Sequence, residues 1–206
     1  MASFVVFEKP HGLFYPPVNN SAETKIANAC RQVKEAGGNN PPDCYIYTEV
    51  DWARTYYSLG HVVDANLSEL GMHYENGTAF GTTNTLATPN HVPGPDGNQV
   101  YHYNFHAYDF RSPKMQRLWA KRITDAVATG YVDGAFIDGN RGGWGFGNCN
   151  ACGKDRKCCD DLKAGLKAAH YAVAEAVGPN GTLISNYPTP EAVSYTHLTL
   201  PTTPYV

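Results

Sequence analysis

Apolar and polar positions alternate between two periods along the chain, and that switching sets the element order. Phe4-Val-Val-Phe is a short apolar run rich in β-favouring residues and reads as a strand, with Glu8 just after its end. A Pro- and Asn-rich loop leads to Ser21, a good helix N-cap. Ile26, Ala29, Cys30 and Val33 then recur at helical spacing until Gly37-Gly38 stops the helix. Tyr45-Ile-Tyr-Thr-Glu-Val is the next strand, finishing near Glu49 and Asp51. The stretch from Trp52 to about Leu70 reads as mostly helical. Residues 71–99 carry few periodic signals, and Pro95-Asp-Gly-Asn makes a turn into a strand at Val100-Tyr-His-Tyr-Asn-Phe.

The second half is clearer. Ser112 caps and Pro113 opens a helix whose apolar stripe is Met115, Leu118, Trp119, Ile123, Ala126 and Val127, ended by Gly130. Val132-Asp-Gly-Ala-Phe-Ile-Asp reads as a buried strand ending at Asp138, followed by a long loop rich in Gly and Cys. Leu162, Leu166, Ala169, Val173 and Val177 mark another helix, closed by Gly178-Pro179, and Thr182-Leu-Ile-Ser-Asn-Tyr is the fifth strand. Strand and helix therefore alternate about four times before a final strand, the pattern of parallel strands joined by helical crossovers. Links from helix to strand are short, whereas links from strand to helix are mostly long. In a barrel the long links share the face at the carboxyl ends of the strands, where sites are built.

Composition narrows the picture. The chain has 206 residues, 42% hydrophobic and 17% charged, as expected of one folded domain. A formal charge of −3 with scattered Lys and Arg gives a nucleic-acid partner or an anionic membrane no electrostatic support. Apolar runs are too short to span a bilayer. Six cysteines, with Asn-x-Ser/Thr sequons at Asn19, Asn66, Asn76 and Asn180, point to the secretory pathway. The first ten residues do not read as a signal peptide, so the true start is expected upstream. Cys149, Cys152, Cys158 and Cys159 suit two local disulfides better than a zinc knuckle, because adjacent cysteines cannot easily supply two tetrahedral ligands. Cys30 and Cys44 are either a third pair or two buried thiols.

Carboxylates gather at predicted strand ends: Glu8, Glu49 with Asp51, Asp109 and Asp138. Tyr108-Asp-Phe-Arg-Ser-Pro, Trp119 and Tyr131-Val-Asp-Gly-Ala-Phe-Ile-Asp-Gly together resemble uncharacterised glycoside-hydrolase-like barrel families. The likeness extends loosely from Glu8-Lys-Pro-His-Gly through Tyr45-Ile-Tyr to Asn186. It implies an α/β fold of the parallel (β/α) TIM-type barrel, incomplete, with about five strands in residues 1–192. Such a barrel needs about 250 residues to close. Residues 193–202, Val-Ser-Tyr-Thr-His-Leu-Thr-Leu-Pro-Thr, resemble translated sequencing-adapter DNA, so 193–206 are expected to be a non-native tail.

The resemblance also implies glycoside hydrolysis, which uses two carboxyl groups flanking one bond. Related barrels acting on α-linkages often place the nucleophile Asp at the end of the fourth strand, where the count above puts Asp138. Asp138 is thus the catalytic candidate, and its alternative is an Asp capping its own Gly-rich loop. Glu8, Tyr47, Glu49, Asp109, Asn140, Trp144 and Asn186 are the candidate substrate contacts. Tyr47 and Trp144 are suited to stacking on pyranose rings. Asp109 equally suits organising the helix capped at Ser112, and Glu49 or Asp51 suits a salt bridge to Arg54. Asp133 lies at the opposite end of its strand and reads as structural.

His102 and His106 lack a nameable third ligand, so no metal site is expected. Gly142-Gly-Trp-Gly-Phe-Gly does not feed a helix directly, so no nucleotide cofactor is expected either. The expectation is a secreted carbohydrate-active enzyme without cofactor whose second catalytic carboxylate is either Glu49 or a residue beyond Ala192. A non-catalytic carbohydrate-binding barrel is the alternative.

Overall fold

A computed structural model describes residues 4–7, 22–54, 57–86, 101–139, 147–178 and 181–185. The expectations for Glu8, Asn140, Trp144, Asn186 and the tail from 193 fall outside the described residues.

Four strands form one parallel sheet: β1 (Phe4–Phe7), β2 (Asp43–Glu49), β6 (Gly134–Asp138) and β7 (Thr182–Ser185), in the order β1-β2-β6-β7. Helix α1 (Ala22–Ala36) crosses from β1 to β2. Helix α4 (Pro113–Val127) leads into β6, and α5 (Arg156–Val177) carries the chain from β6 to β7. The expected alternation of strand and helix is therefore observed, with strands added in sequence order as in the wall of a parallel barrel. The capping at Ser112 is also as expected, its hydroxyl accepting from the Met115 N–H, with Pro113 in the first turn.

Strand alternation divides the sheet into two faces. On one face Cys44, Ile46 and Thr48 line up with Ala135, Ile137 and Leu183. This face meets the helices: Cys44 is disulfide-bonded to Cys30 of α1, and the Arg122 guanidinium of α4 donates to Thr48 Oγ1 at 2.8 Å. From the apolar stripe of α4, Met115, Trp119 and Ile123 are fully buried in the same core, and Leu118 and Val127 pack against it partly buried. Tyr45, Tyr47, Glu49, Phe136 and Asp138 occupy the other face.

The segment between β2 and α4 corrects the sequence reading. The expected helix from Trp52 to Leu70 begins instead as a strand, β3 (Trp52–Arg54), with α2 (Ser58–Ala65) and the short α3 (Leu67–Leu70) following. Strand β4 (Gly81–Leu86) lies in the region that carried few signals. The strand expected at 100–105 is present as β5 (Tyr101–Ala107), but it belongs to a separate antiparallel sheet ordered β3-β5-β4. Among the described residues the parallel sheet thus has four strands rather than about five, and Asp138 ends the third of them rather than a fourth.

All six cysteines are paired. Cys30–Cys44 ties α1 to β2, while Cys149–Cys159 and Cys152–Cys158 staple the loop before α5, as expected of a local double staple. No helix among the described residues is long and apolar enough to cross a membrane.

Candidate functional site

The carboxyl ends of β1, β2, β6 and β7 lie along one edge of the sheet because the strands are parallel. Glu49 and Asp138 are register partners at that edge, so their side chains leave neighbouring strands in the same direction. Tyr47, two residues before Glu49, shares their face. Its hydroxyl lies 2.6 Å from Asp138 Oδ2 and 3.2 Å from Glu49 Oε1. A phenol carries one hydrogen. The shorter contact has the length of a hydroxyl donating to a carboxylate, which places that hydrogen on the Asp138 side.

This cluster is sheltered. Glu49 and Asp51 are each 8% exposed, and Tyr47 is 4% exposed with one face stacked on Phe136 at 6.2 Å. The Tyr47 ring was expected to offer a face to a sugar. Burial gives the ring little access, and its hydroxyl is the part that reaches the acidic groups.

Helix α4 braces the end of β2 from behind. The Trp119 indole N–H donates to the Glu49 carbonyl at 3.0 Å. Arg122 donates to the Tyr47 carbonyl at 3.0 Å while its guanidinium lies 4.0 Å above the Tyr57 ring. These contacts fix the backbone that carries both Tyr47 and Glu49. Neither Trp119 nor Arg122 was singled out from sequence as part of the site, although Trp119 falls on the helical stripe and Arg122 on its flank.

The turn after Asp138 is equally constrained. The Asp138 carbonyl accepts from the Val50 N–H at 3.0 Å, linking the two strand ends. Gly139 has φ +81°, and a β-carbon there would stand 2.8 Å from Asp51 Oδ2. Glycine is needed for both its left-handed backbone and its lack of bulk.

Asp109 is engaged elsewhere. Its two oxygens accept from Arg111 Nε at 2.8 Å and Nη2 at 2.7 Å, and Oδ1 also accepts from the Arg111 backbone N–H. The Asp109 carbonyl accepts from the Ser112 N–H, so this residue shapes the turn into α4. Asp133 accepts from Lys34 Nζ at 2.6 Å and the Cys44 N–H at 2.7 Å, bracing the amino end of the sheet far from Asp138. His106 Nε2 meets Asp64 Oδ1 at 3.0 Å, on the antiparallel sheet.

No protein-family model matches this chain, and no curated protein matches it. Solved structures do. The glycoside hydrolase domain of a PelA variant from Pseudomonas aeruginosa aligns at 13% identity and TM-score 0.46, covering 90% of this chain and 58% of that one. A GH31 dextranase from Flavobacterium johnsoniae in complex with glucose aligns at 14% identity and TM-score 0.43, covering 82% of this chain and 20% of that one. A Nostoc punctiforme debranching enzyme aligns at 13% identity and TM-score 0.38, covering 77% and 28%. The chain thus spans less than two thirds of each of these proteins, and less than a third of the last two. Likeness at this level decides neither substrate nor mechanism.

Proposed function

We propose that residues 1–192 are the first strands of a parallel (β/α) barrel of glycoside-hydrolase type, with Asp138 as its catalytic nucleophile or charge-stabilising carboxylate. One observation carries the reading. A carboxylate at the carboxyl end of a parallel strand is held at 2.6 Å by a buried tyrosine hydroxyl, beside a second carboxylate in paired register. An anion fixed before the reaction stabilises the positive charge of an oxocarbenium-like transition state without reorganising at that moment.

Glu49 is assigned to binding rather than to proton donation. Glu49 and Asp138 leave neighbouring strands in paired register and share the Tyr47 hydroxyl, an arrangement that suits two acids acting on the same side of a sugar. The proton donor in this reading comes from another strand end. Glu8, Asn140, Trp144 and Asn186, which follow β1, β6 and β7 in the chain, are proposed to contact the sugar. Asp109 is left out because Arg111 takes both its oxygens. Three disulfides support folding in an oxidising compartment, and we place the protein in the secretory pathway.

The test is hydrolysis by the full-length natural protein of a panel of α- and β-linked aryl glycosides and polysaccharides, with binding measured in parallel. Release of sugar from at least one class supports the proposal. Saturable binding without hydrolysis across the panel would make the protein a carbohydrate-binding barrel instead.

A further inference from the structure

We propose that Asn76 is an N-glycosylation site whose first sugar packs on the ring of Tyr74. Tyr74-Glu-Asn-Gly-Thr78 closes a small hairpin far from the carboxylate cluster in sequence. His73 and Ala79 pair across it, the Tyr74 N–H donates to the Thr78 carbonyl at 2.8 Å, and the Gly77 N–H donates to the Tyr74 carbonyl at 2.8 Å. Gly77 has φ +79°, which makes Glu75-Asn-Gly a three-residue loop with the left-handed glycine such a turn requires. All five residues are exposed.

The turn presents the acceptor in reactive form. Asn76 Oδ1 accepts from the Thr78 N–H at 2.9 Å, so the side-chain oxygen is engaged, and among the described residues Nδ2, the atom that is glycosylated, is not committed to an acceptor. Asn66, the other sequon among the described residues, differs. Its Nδ2 donates to the Val62 carbonyl at 2.9 Å, and its Ser68 lies within α3. Asn19 and Asn180 lie outside the described residues.

The surroundings of Asn76 suit a saccharide. Tyr74 is 43% exposed, and its ring is set edge-to-face with Phe80 at 5.0 Å, which fixes its orientation. A rigid aromatic with one polar end is a good platform for the C–H face of a sugar. Tyr74 and Asn76 border a depression of about 660 Å³ whose far side carries Asn150 and Lys154, donors for sugar hydroxyls. That far side is anchored by the Cys149–Cys159 and Cys152–Cys158 disulfides.

The chemistry needs a polyprenyl-diphosphate-linked oligosaccharide as donor. Asn76 Nδ2 forms a bond to the sugar C1, the C1–O bond breaks, and its electron pair leaves with the diphosphate. One amide proton passes to the base of the transferase. Oxidised cysteines and this donor meet in the same secretory compartment.

The full chain behind a cleavable secretory leader, expressed in cultured animal cells, is digested with peptide N-glycosidase in heavy-oxygen water and mapped by mass spectrometry. Secreted and retained pools are both mapped. Asn76 is expected to be occupied in most molecules and Asn66 in few, with Thr78→Ala abolishing the Asn76 signal. Tyr74→Ala keeps the sequon but should lower occupancy and erase the rise in melting temperature that the glycan gives the parent protein. An unmodified Asn76 in disulfide-bonded protein would overturn the site. An equal glycan effect on melting with and without Tyr74 would overturn the packing.

Discussion

The hydroxyl of Tyr47 has one hydrogen and two carboxylates within reach, so removing it has a calculable effect. A hydrogen bond to a charged group contributes about 1.5–3 kcal/mol, or roughly 10–100-fold in rate if it is needed to place the anion. Tyr47→Phe should therefore lower kcat by about that factor with little change in KM, as steady-state kinetics of the full-length protein would register. Combined with Asp138→Asn it should add almost nothing, because the anion that Tyr47 places is already gone in that variant. Full additivity would show that Tyr47 acts on something other than Asp138. The sequence marked the tyrosine as a ring suited to stacking on a sugar and not as a partner of Asp138. Its contact with Asp138 spans 91 positions and depends on strand register, which no local pattern specifies.

A second residue-scale consequence concerns acid. His170 is buried against Trp119, with ring centroids 5.1 Å apart, and its Nδ1 lies 3.0 Å from the Leu166 carbonyl. Burial pushes the imidazole down to about 4, with the Leu166 carbonyl opposing that shift. The unfolded imidazole titrates near 6.5, so the unfolded state binds the extra proton between those values. Stability is thus unaffected above about pH 6.5 and falls as pH drops toward 4, by at most about 1.4 kcal/mol per pH unit. Urea unfolding of His170→Gln should show a shallower acid-side slope than the parent. Identical slopes would remove His170 from the account.

Elements were legible where their pattern was strong and local. The stripe of α4 with its Ser112 and Pro113 start, and the apolar run ending at Asp138, are found where periodicity places them. The error lay in treating β5 as a barrel strand. Its sequence, Tyr-His-Tyr-Asn-Phe-His, alternates in character, as strands of antiparallel sheets do, whereas β6 reads Gly-Ala-Phe-Ile and is nearly continuously apolar. That difference was available and distinguishes the two sheets. β4, Gly-Thr-Thr-Asn-Thr-Leu, forms its ladder with β5, and its threonines gave no periodic apolar signal. Gly139 is the point where element and site meet. Gly139→Ala places a β-carbon against Asp51 at a left-handed position, a backbone cost of about 1–2 kcal/mol before any contact. Thermal unfolding should show that loss, and activity should fall with it because the Asp138 turn must shift. Unchanged stability would mean the turn relaxes freely.

At the scale of the molecule, four parallel strands in sequence order bring long connections to one edge and short ones to the other. The inserted antiparallel sheet lengthens the connection after β2, next to Glu49 and Asp51. Asp133 and Asp138 lie at opposite ends of one strand region, one braced by Lys34 and the other held by Tyr47. They form an internal control: one carboxylate at the carboxyl edge of the sheet and one at its amino edge. The most direct measurement is therefore kcat/KM of the full-length natural protein with Asp138→Asn and with Asp133→Asn, alongside calorimetric binding of the same oligosaccharide. A loss on the order of a thousandfold or more is expected for Asp138→Asn, corresponding to about 4 kcal/mol of transition-state stabilisation, with folding and binding kept. Asp133→Asn should cost stability and leave turnover nearly unchanged. Normal hydrolysis with Asn at position 138 would contradict the assignment.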